Sequence, residues 1–381
     1  MSTIADASLR RLTEEQRAIA ELAFAIGATY ADRRFDDHDA SMAQWEELAA
    51  SGLTGLSLPE EYGGGGGMLE LCIACERLAA GGYPAAKLII STAMAGTMIA
   101  RHGTQEQQER WLPGIASGRN RFCFAFTEPE AGSNANNLLT AATPTADGFS
   151  VTGAKTYISA LESSETMIVV ARDAESGGLT LLVLPTPCQN VTATPVHVDA
   201  PAFEHQWSVF FDGAVAPATD VLGEPGKGGR VLFDGLNPER LMGAAMCTGI
   251  ARYALDKACA YVREREVWGV PIGAHQGVAH PLAEAKIELE AARLVLQRGA
   301  LLYDAGLDAA EASNMAKFTA SEVSLRALDR SMQAHGGNGL ALEYGLADLW
   351  FVARLLRTAP ISREMVLNHI AEHSLGLPRS Y

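Results

Sequence analysis

The sequence predicts an α+β chain in three parts: an N-terminal helical domain over 1–120, a middle antiparallel β domain over 121–229 and a C-terminal four-helix bundle over 230–381. Three observations predict it. Apolar residues recur at helical spacing early in the chain, as in Leu12, Ile19, Leu22, Ala23 and Ile26. Short β-type runs then alternate with Gly, Pro, Asp and Ser clusters. From Val231 onward, long Ala- and Leu-rich amphipathic segments return with short joints.

Taken in order, Thr13 with Glu14 and Glu15 marks the first helix start, and Asp39–Ser51 is a second amphipathic segment. Leu58–Gly67 breaks it. Its five glycines lack the Lys and Ser/Thr of a phosphate-binding P-loop, so a flexible loop is expected. Helices resume over Leu69–Gly81 and Ala85–His102, a short one starts near Gly103–Glu106, and Pro113–Gly118 closes the helical part. The expected strands are Phe149–Thr152, Thr166–Arg172, Leu179–Leu184, Val191–Val196 and Trp207–Phe211. Gly223–Gly229 reads as a hinge loop, because no Ser/Thr follows Lys227. No strand–G-x-G-x-x-G–helix unit occurs, which argues against a Rossmann domain. The last helices span Leu241–Tyr261, Gly277–Asp304, Ala309–Gly336 and Ala347–Leu375.

The 381 residues suffice for two or three domains with a sizeable core. A hydrophobic content of 48% and a charged content of 20% fit a soluble globular protein. The net charge of −15 argues against a nucleic-acid surface, so an anionic ligand must find local Arg or Lys. No apolar run approaches a membrane span, and the start M-S-T-I-A-D-A-S has no signal-peptide layout. The six scattered cysteines form no disulfide framework, and reducing cytoplasm is the expected compartment. Cys72 and Cys75 form a C-x-x-C inside an apolar helical pattern, which reads as core helix rather than a metal site.

Chemistry concentrates at Phe122–Asn134, F-C-F-A-F-T-E-P-E-A-G-S-N. Alternation of Phe122, Phe124 and Phe126 with small residues reads as a buried strand, and the turn formers after it stop that strand abruptly. Free amides and hydroxyls there can bind the polar edge of a flat ring; the same residues also fit an ordinary strand-to-loop exit. T-E-P-E-A-G-S-N, however, closely resembles the T-E-P-x-A-G-S-D signature of the acyl-CoA dehydrogenase family, with Asn134 in place of Asp. The resemblance continues along nearly the whole chain. G-A-K-T-Y-I-S at Gly153–Ser159 resembles G-x-K-x-W-I-T; R-E-R-E-V-W-G-V-P-I-G-A-H-Q at Arg263–Gln276 resembles R-x-x-F-G-x-x-I-x-x-x-Q; Q-A-H-G-G-N-G at Gln333–Gly339 matches Q-x-x-G-G-x-G.

The resemblance implies FAD as cofactor, lying between the middle and C-terminal domains, an acyl-CoA substrate, an electron-transfer flavoprotein as electron acceptor, and a homodimer or a homotetramer built from dimers. It implies flavin contacts at Phe126, Thr127, Tyr157, Ser159 and Ser362, pyrophosphate and aromatic contacts at Arg265, Trp268 and Gln276, and contacts of Gln333, Gly336 and Gly337 with a neighbouring subunit's FAD. Ser133, Asn237, Arg240 and Ile361 would meet the substrate. Taken alone, Gly153–Ser159 also fits an ordinary strand with a surface Lys155 and a core aromatic, but together with the first motif that reading gives way to the resemblance; His335 reads as structural, with no visible partner. The family's usual base, a Glu, falls on Pro360, which has neither a carboxylate nor an N–H. Other members carry the base just before a matching Arg, here Glu239 before Arg240. Asn237 would cap that helix with Pro238 in its first turn, so Glu239 also fits a residue that merely favours the helix dipole. Glu364 is the next carboxylate in line. The implied activity is α,β-desaturation of an acyl-CoA; a non-catalytic subunit and a flavin-dependent oxygenase or oxidase stand as alternatives.

Overall fold

A computed structural model describes residues 12–35, 37–198 and 205–380. Helix α1 (Glu14–Thr29) opens on a reciprocal cap between Thr13 and Gln16. Helices α2 (His38–Ala50) and α3 (Met68–Gly81) follow. The five-glycine stretch between them is not a flexible loop: the amides of Gly63, Gly64 and Gly66 donate to Glu60, Pro59 and Leu56. A Cβ at Gly64 would lie 1.8 Å from the Leu58 oxygen, so only glycine fits there. A π-helical turn at Leu88–Gly96 leads into α4 (Thr97–His102), and α5 (Gln105–Ala116) repeats the reciprocal cap with Thr104 and Gln107. Eight strands come next among the described residues: β1 (Phe122–Ala125), β2 (Ala141–Thr145), β3 (Gly148–Ser159), β4 (Thr166–Asp173), β5 (Leu179–Pro185), β6 (Val191–Val196), β7 (Gln206–Pro217) and β8 (Val221–Leu222). Helix α6 (Gly229–Glu264), the short strands β9 (Glu266–Val267) and β10 (Val270–Pro271), and helices α7 (Gln276–Asp304), α8 (Ala310–His335), α9 (Leu346–Thr358) and α10 (Arg363–His369) complete the chain.

The described residues group into two compact units. One contains Trp45–Gly67 and Ala86–Glu239 and holds the sheet. Its strand order is β6-β7-β3-β2-β4-β5-β8, with β1 beside β4. The expected antiparallel sheet is corrected at two places: β1 and β2 both run parallel to β4. A parallel neighbour needs a long crossover rather than a hairpin, and the chain from Phe126 to Glu165 supplies one. β4 is covered on both faces. Ile168 and Val170 join a cluster with Met98, Trp111, Leu112 and Ile115, whereas Met167, Val169 and Ala171 join another with Val151, Val209 and Phe211. That double burial explains its unbroken apolar run. Nor is Gly223–Gly229 a hinge. The Gly226 amide donates to Thr180 Oγ1 at 2.8 Å and the Gly228 amide to the Leu179 carbonyl at 2.7 Å, which ties the segment to β5.

The other unit takes the described residues up to Gln44, Met68–Ala85 and the chain from Arg240 onward. α3 is its most enclosed helix. Burial pushes the Cys72 and Cys75 thiols well up, as expected of core residues. Two helix boundaries differ from expectation. α6 begins at Gly229 and runs through Pro238, so Asn237 is not its cap. Pro238 is tolerated at the loss of one helical bond, to Asp234. The final segment, expected as one helix, breaks between Thr358 and Arg363. Pro360 cannot donate, and it drives Ala359 to an extended conformation (φ −104, ψ 156). No helix among the described residues is long and apolar enough to cross a membrane.

Helices α3 and α6 meet at Gly249, where an added Cβ would lie 2.2 Å from the Glu76 carbonyl oxygen. Beside this crossing Arg293 Nε donates to Glu76 at 2.7 Å. Gly249→Ala is therefore expected to lower stability by about 1–3 kcal/mol, the usual cost of overpacking. Chemical denaturation of both proteins checks this, and equal midpoints would contradict the close crossing.

Candidate functional site

In the sheet unit the site is organised by Lys155. Its side chain is 0% exposed. Nζ donates to the Phe126 carbonyl at 2.9 Å and to Glu128 Oε1 at 2.8 Å. Glu128 in turn accepts from the Leu139 amide at 2.6 Å and the Thr140 amide at 3.0 Å. Burial pushes the Lys155 pKa down to about 8 against the pull of Glu128. Burial alone would raise the Glu128 carboxyl; the Leu139 amide, Lys155 and Thr140 outweigh it and hold the group below its ordinary value. The ordinary-strand alternative with a surface lysine is thus excluded. Lys155 shares the inward parity of buried Phe149 and Val151 along β3, so the strand pattern contained the signal.

Beyond Lys155 the register of β3 slips before Ile158. The Thr156 amide donates to the Thr127 carbonyl at 2.9 Å, and Tyr157 takes a φ of 56° with its side chain 59% exposed. A bulge of this kind re-aims a side chain, and a non-glycine residue at positive φ costs about 1–3 kcal/mol. The hydrogen bond to Thr127 sets its backbone beside Thr156 and Tyr157, while Phe126 packs with Phe124 against the core cluster of Met98 and Trp111. Ser159 Oγ exchanges hydrogen bonds with the Gln206 amide at 3.0 and 2.9 Å. The Thr127 amide and hydroxyl have no partner among the described residues. Ser133 is exposed just past the Glu128–Ala131 turn.

The remaining predicted residues gather in three places. Strands β9 and β10 form a hairpin whose turn residues, Trp268 and Gly269, both have positive φ (53° and 79°). The turn presents Trp268 88% exposed, edge-on to His275 at 6.0 Å. Arg265, also exposed, stands at the base of the hairpin, and Gln276 opens α7. At the end of α8, Gln333 is exposed, and a Cβ at Gly336 or Gly337 would meet nothing within 4 Å. His335 has partners after all: Nδ1 lies 2.7 Å from the Ser331 carbonyl, and the ring stacks on Tyr261 at 4.4 Å. Asn338 donates to the hydroxyls of Tyr261 and Tyr344, each at 3.1 Å. Burial pushes the His335 pKa down, which suits a neutral, structural ring. This aromatic cage left no signal in the sequence, because its members come from separate segments.

The third place is the α9–α10 turn with Pro360, Ile361 and Ser362. Ser362 Oγ accepts from the Met365 amide at 3.2 Å and caps α10. Pro360 leans on α6: a Cβ at Gly243 would lie 3.8 Å from Pro360 Cδ. On α6, Glu239 sits four residues before Gly243 and hence on the same helix face. Glu239 and Asn237 are half-buried, and Arg240 is buried. Since α6 begins at Gly229, Glu239 lies more than two turns inside the helix, beyond the reach of its dipole. The dipole reading of Glu239 therefore falls. Glu364 has a side chain 73% exposed. No group of His, Cys, Asp and Glu among the described residues is arranged to hold a metal ion.

Family comparisons agree along the chain. The descriptions "Acyl-CoA dehydrogenase, N-terminal domain", "middle domain" and "C-terminal domain" match residues 13–119, 123–212 and 226–375. The acyl-CoA dehydrogenase FadE12 of Mycobacterium tuberculosis is 46% identical over 380 residues, covering 97% of this chain and 98% of that protein. The probable acyl-CoA dehydrogenase YngJ of Bacillus subtilis is 30% identical over 361 residues, covering 92% and 93%. Among solved structures, butyryl-CoA dehydrogenase from Megasphaera elsdenii superposes with a TM-score of 0.87 at 28% identity, covering 94% of this chain and 97% of that one. The chain belongs to the acyl-CoA dehydrogenase family of flavoprotein oxidoreductases.

Proposed function

We propose that the protein desaturates an acyl-CoA thioester between Cα and Cβ, with Glu239 as the base. The observation that carries this reading is the α6 face on which Glu239 and Gly243 lie together, with Pro360 packed against Gly243. Pro360 supplies no carboxylate, and Glu239 stands one helical turn before Gly243 on α6. Glu239 takes the Cα proton. FAD, held by the residues named below, would supply the acceptor for the hydride that leaves Cβ. The residues present fit that cofactor. Thr127 keeps an amide and a hydroxyl without partners beside the raised Tyr157 ring, and Gly336 and Gly337 leave backbone open to close approach. Phe126, Thr127, Tyr157, Ser159 and Ser362 would hold the isoalloxazine, Arg265, Trp268 and Gln276 the pyrophosphate and adenosine side. Ser133, Asn237, Arg240 and Ile361 would line the acyl-CoA path. An electron-transfer flavoprotein is the proposed acceptor of the electrons.

We also propose a homodimer or a homotetramer built from dimers, in which Gln333, Gly336 and Gly337 reach a neighbour's cofactor. α7 supports self-association. Its Leu282, Leu289 and Leu296 are buried, yet Ile287, Leu294 and Leu301 are 70%, 62% and 54% exposed at a spacing of seven. A helix apolar on both sides needs a second cover. A two-fold axis at Ala291 would place Glu284 of one copy beside Arg298 of the other, twice, with the small Ala291 side chain at the crossing.

Four outcomes are expected. Glu239→Gln keeps the shape of the side chain but loses its basicity; anaerobic stopped-flow reduction by a good acyl-CoA should slow ~100-fold, and an unchanged rate would place the base elsewhere. The purified protein should be yellow with non-covalent FAD. Tyr157→Gly, which relieves the positive φ, should melt about 1 kcal/mol more stably as apoprotein while binding FAD more weakly in titration; equal FAD affinity would remove Tyr157 from the cofactor site. Finally, Leu294→Lys should reduce the particle mass seen by light scattering, and an unchanged mass would show that α7 is not the buried face.

A further inference from the structure

One buried cation is left unexplained by the reaction. Lys317 lies on α8 and is 2% exposed. Its ammonium donates to the Arg357 carbonyl at 3.0 Å and to the Ile361 carbonyl. Among the described residues no carboxylate lies within ion-pair distance of it. Burial pushes its pKa down to about 8, with Cys247, Arg240, Glu322 and Glu364 as the charged or titratable groups around it. Placing an ammonium there is unfavourable unless its donors are used. The acceptors it uses bracket Pro360. Arg357 belongs to the last turn of α9, where carbonyls lack helical donors and the dipole is negative. Ile361 follows the proline directly. Between them Ala359 and Pro360 form the turn that rests on Gly243 of α6. The Ile361–Ser362 peptide is trans, so fixing its carbonyl on Lys317 turns the Ser362 amide the opposite way. Neither the Ile361 amide nor the Ser362 amide has a partner among the described residues.

We propose that Lys317 is a positioning residue for the reaction: its ammonium clamps the Arg357–Ile361 turn and thereby fixes Pro360, Ile361 and Ser362 over the Gly243 face of α6. A family member with a Glu at position 360 carries its base in this turn; here the turn has no base, and its remaining task is to hold the acyl-CoA in register with Glu239. The kinetic consequence rests on the desaturase reading, whereas the clamp itself does not.

The test compares holoenzyme with Lys317→Met. Amide exchange is followed by mass spectrometry at Ala359, Met365 and Val366, whose amides bond to Leu355 and Ser362. Maximal flavin reduction by a panel of acyl-CoAs is followed under anaerobic conditions. Expected are about tenfold faster exchange in this turn with α6 and α7 unchanged, and a maximal rate at least ~10-fold lower at retained FAD content. Lys317→Arg, which keeps a cation with donors, should recover both in part. Exchange in the turn that stays within twofold of the wild type overturns the proposal, as does a uniform rise over the whole helical unit. Faster exchange in the turn with no reduction of either protein by any acyl-CoA supports the clamp and instead removes the desaturase reading. If Lys317→Met does not purify folded, Lys317→Arg against Lys317→Gln gives the same comparison: equal exchange in the turn overturns the clamp, and faster exchange in Lys317→Gln supports it.

Discussion

The buried ion pair of Lys155 with Glu128 is the constraint on which the sheet side of the candidate site depends. Two charges taken out of water must be well paired and fully hydrogen-bonded, and losing one partner of such a pair costs about 3–5 kcal/mol. Here the bonds run to the Phe126 carbonyl and to the Leu139 and Thr140 amides. The pair therefore fixes three separate stretches of chain at once: the end of β1, the start of β2 and the middle of β3. Tyr157 can sit at positive φ only because Lys155 on one side and Ile158 on the other are held in the core. Strain at the ring face and burial of the ion pair are parts of one arrangement.

A second constraint comes from proline chemistry. Pro360 has neither a carboxylate nor an N–H, and it ends α9. In the reading proposed above the carboxylate comes instead from α6, at Glu239, one helical turn before the Gly243 on which Pro360 rests. The carbonyls left over at the break are taken by Lys317.

Much of this was legible in the sequence, for physical reasons. Helices with apolar stripes and reciprocal caps, such as α1 and α5, are set by local spacing and local hydrogen bonds. Strands β4 and β6 could be found because apolar and β-branched residues run between turn formers. Illegible features were those made by residues far apart. The parallel pairing of β1 with β4 is a matter of topology, and the Tyr261–His335–Tyr344 cage assembles from three segments. α6 was misjudged at its start because Asn237 and Pro238 imitate a cap, whereas the helix had already begun at Gly229. The alternation along β3 did carry the burial of Lys155, but a charged residue in a strand reads as solvent-facing unless its partner is known.

The central claim is that this chain is itself a desaturase, with its base on α6 and not in the α9–α10 turn. The most direct measurement is the visible absorption of the FAD-loaded wild-type protein, mixed without oxygen with a panel of acyl-CoAs of differing length and branching. The account predicts that at least one of them bleaches the flavin band and yields the α,β-enoyl-CoA. FAD bound in full and no bleaching with any acyl-CoA would contradict it.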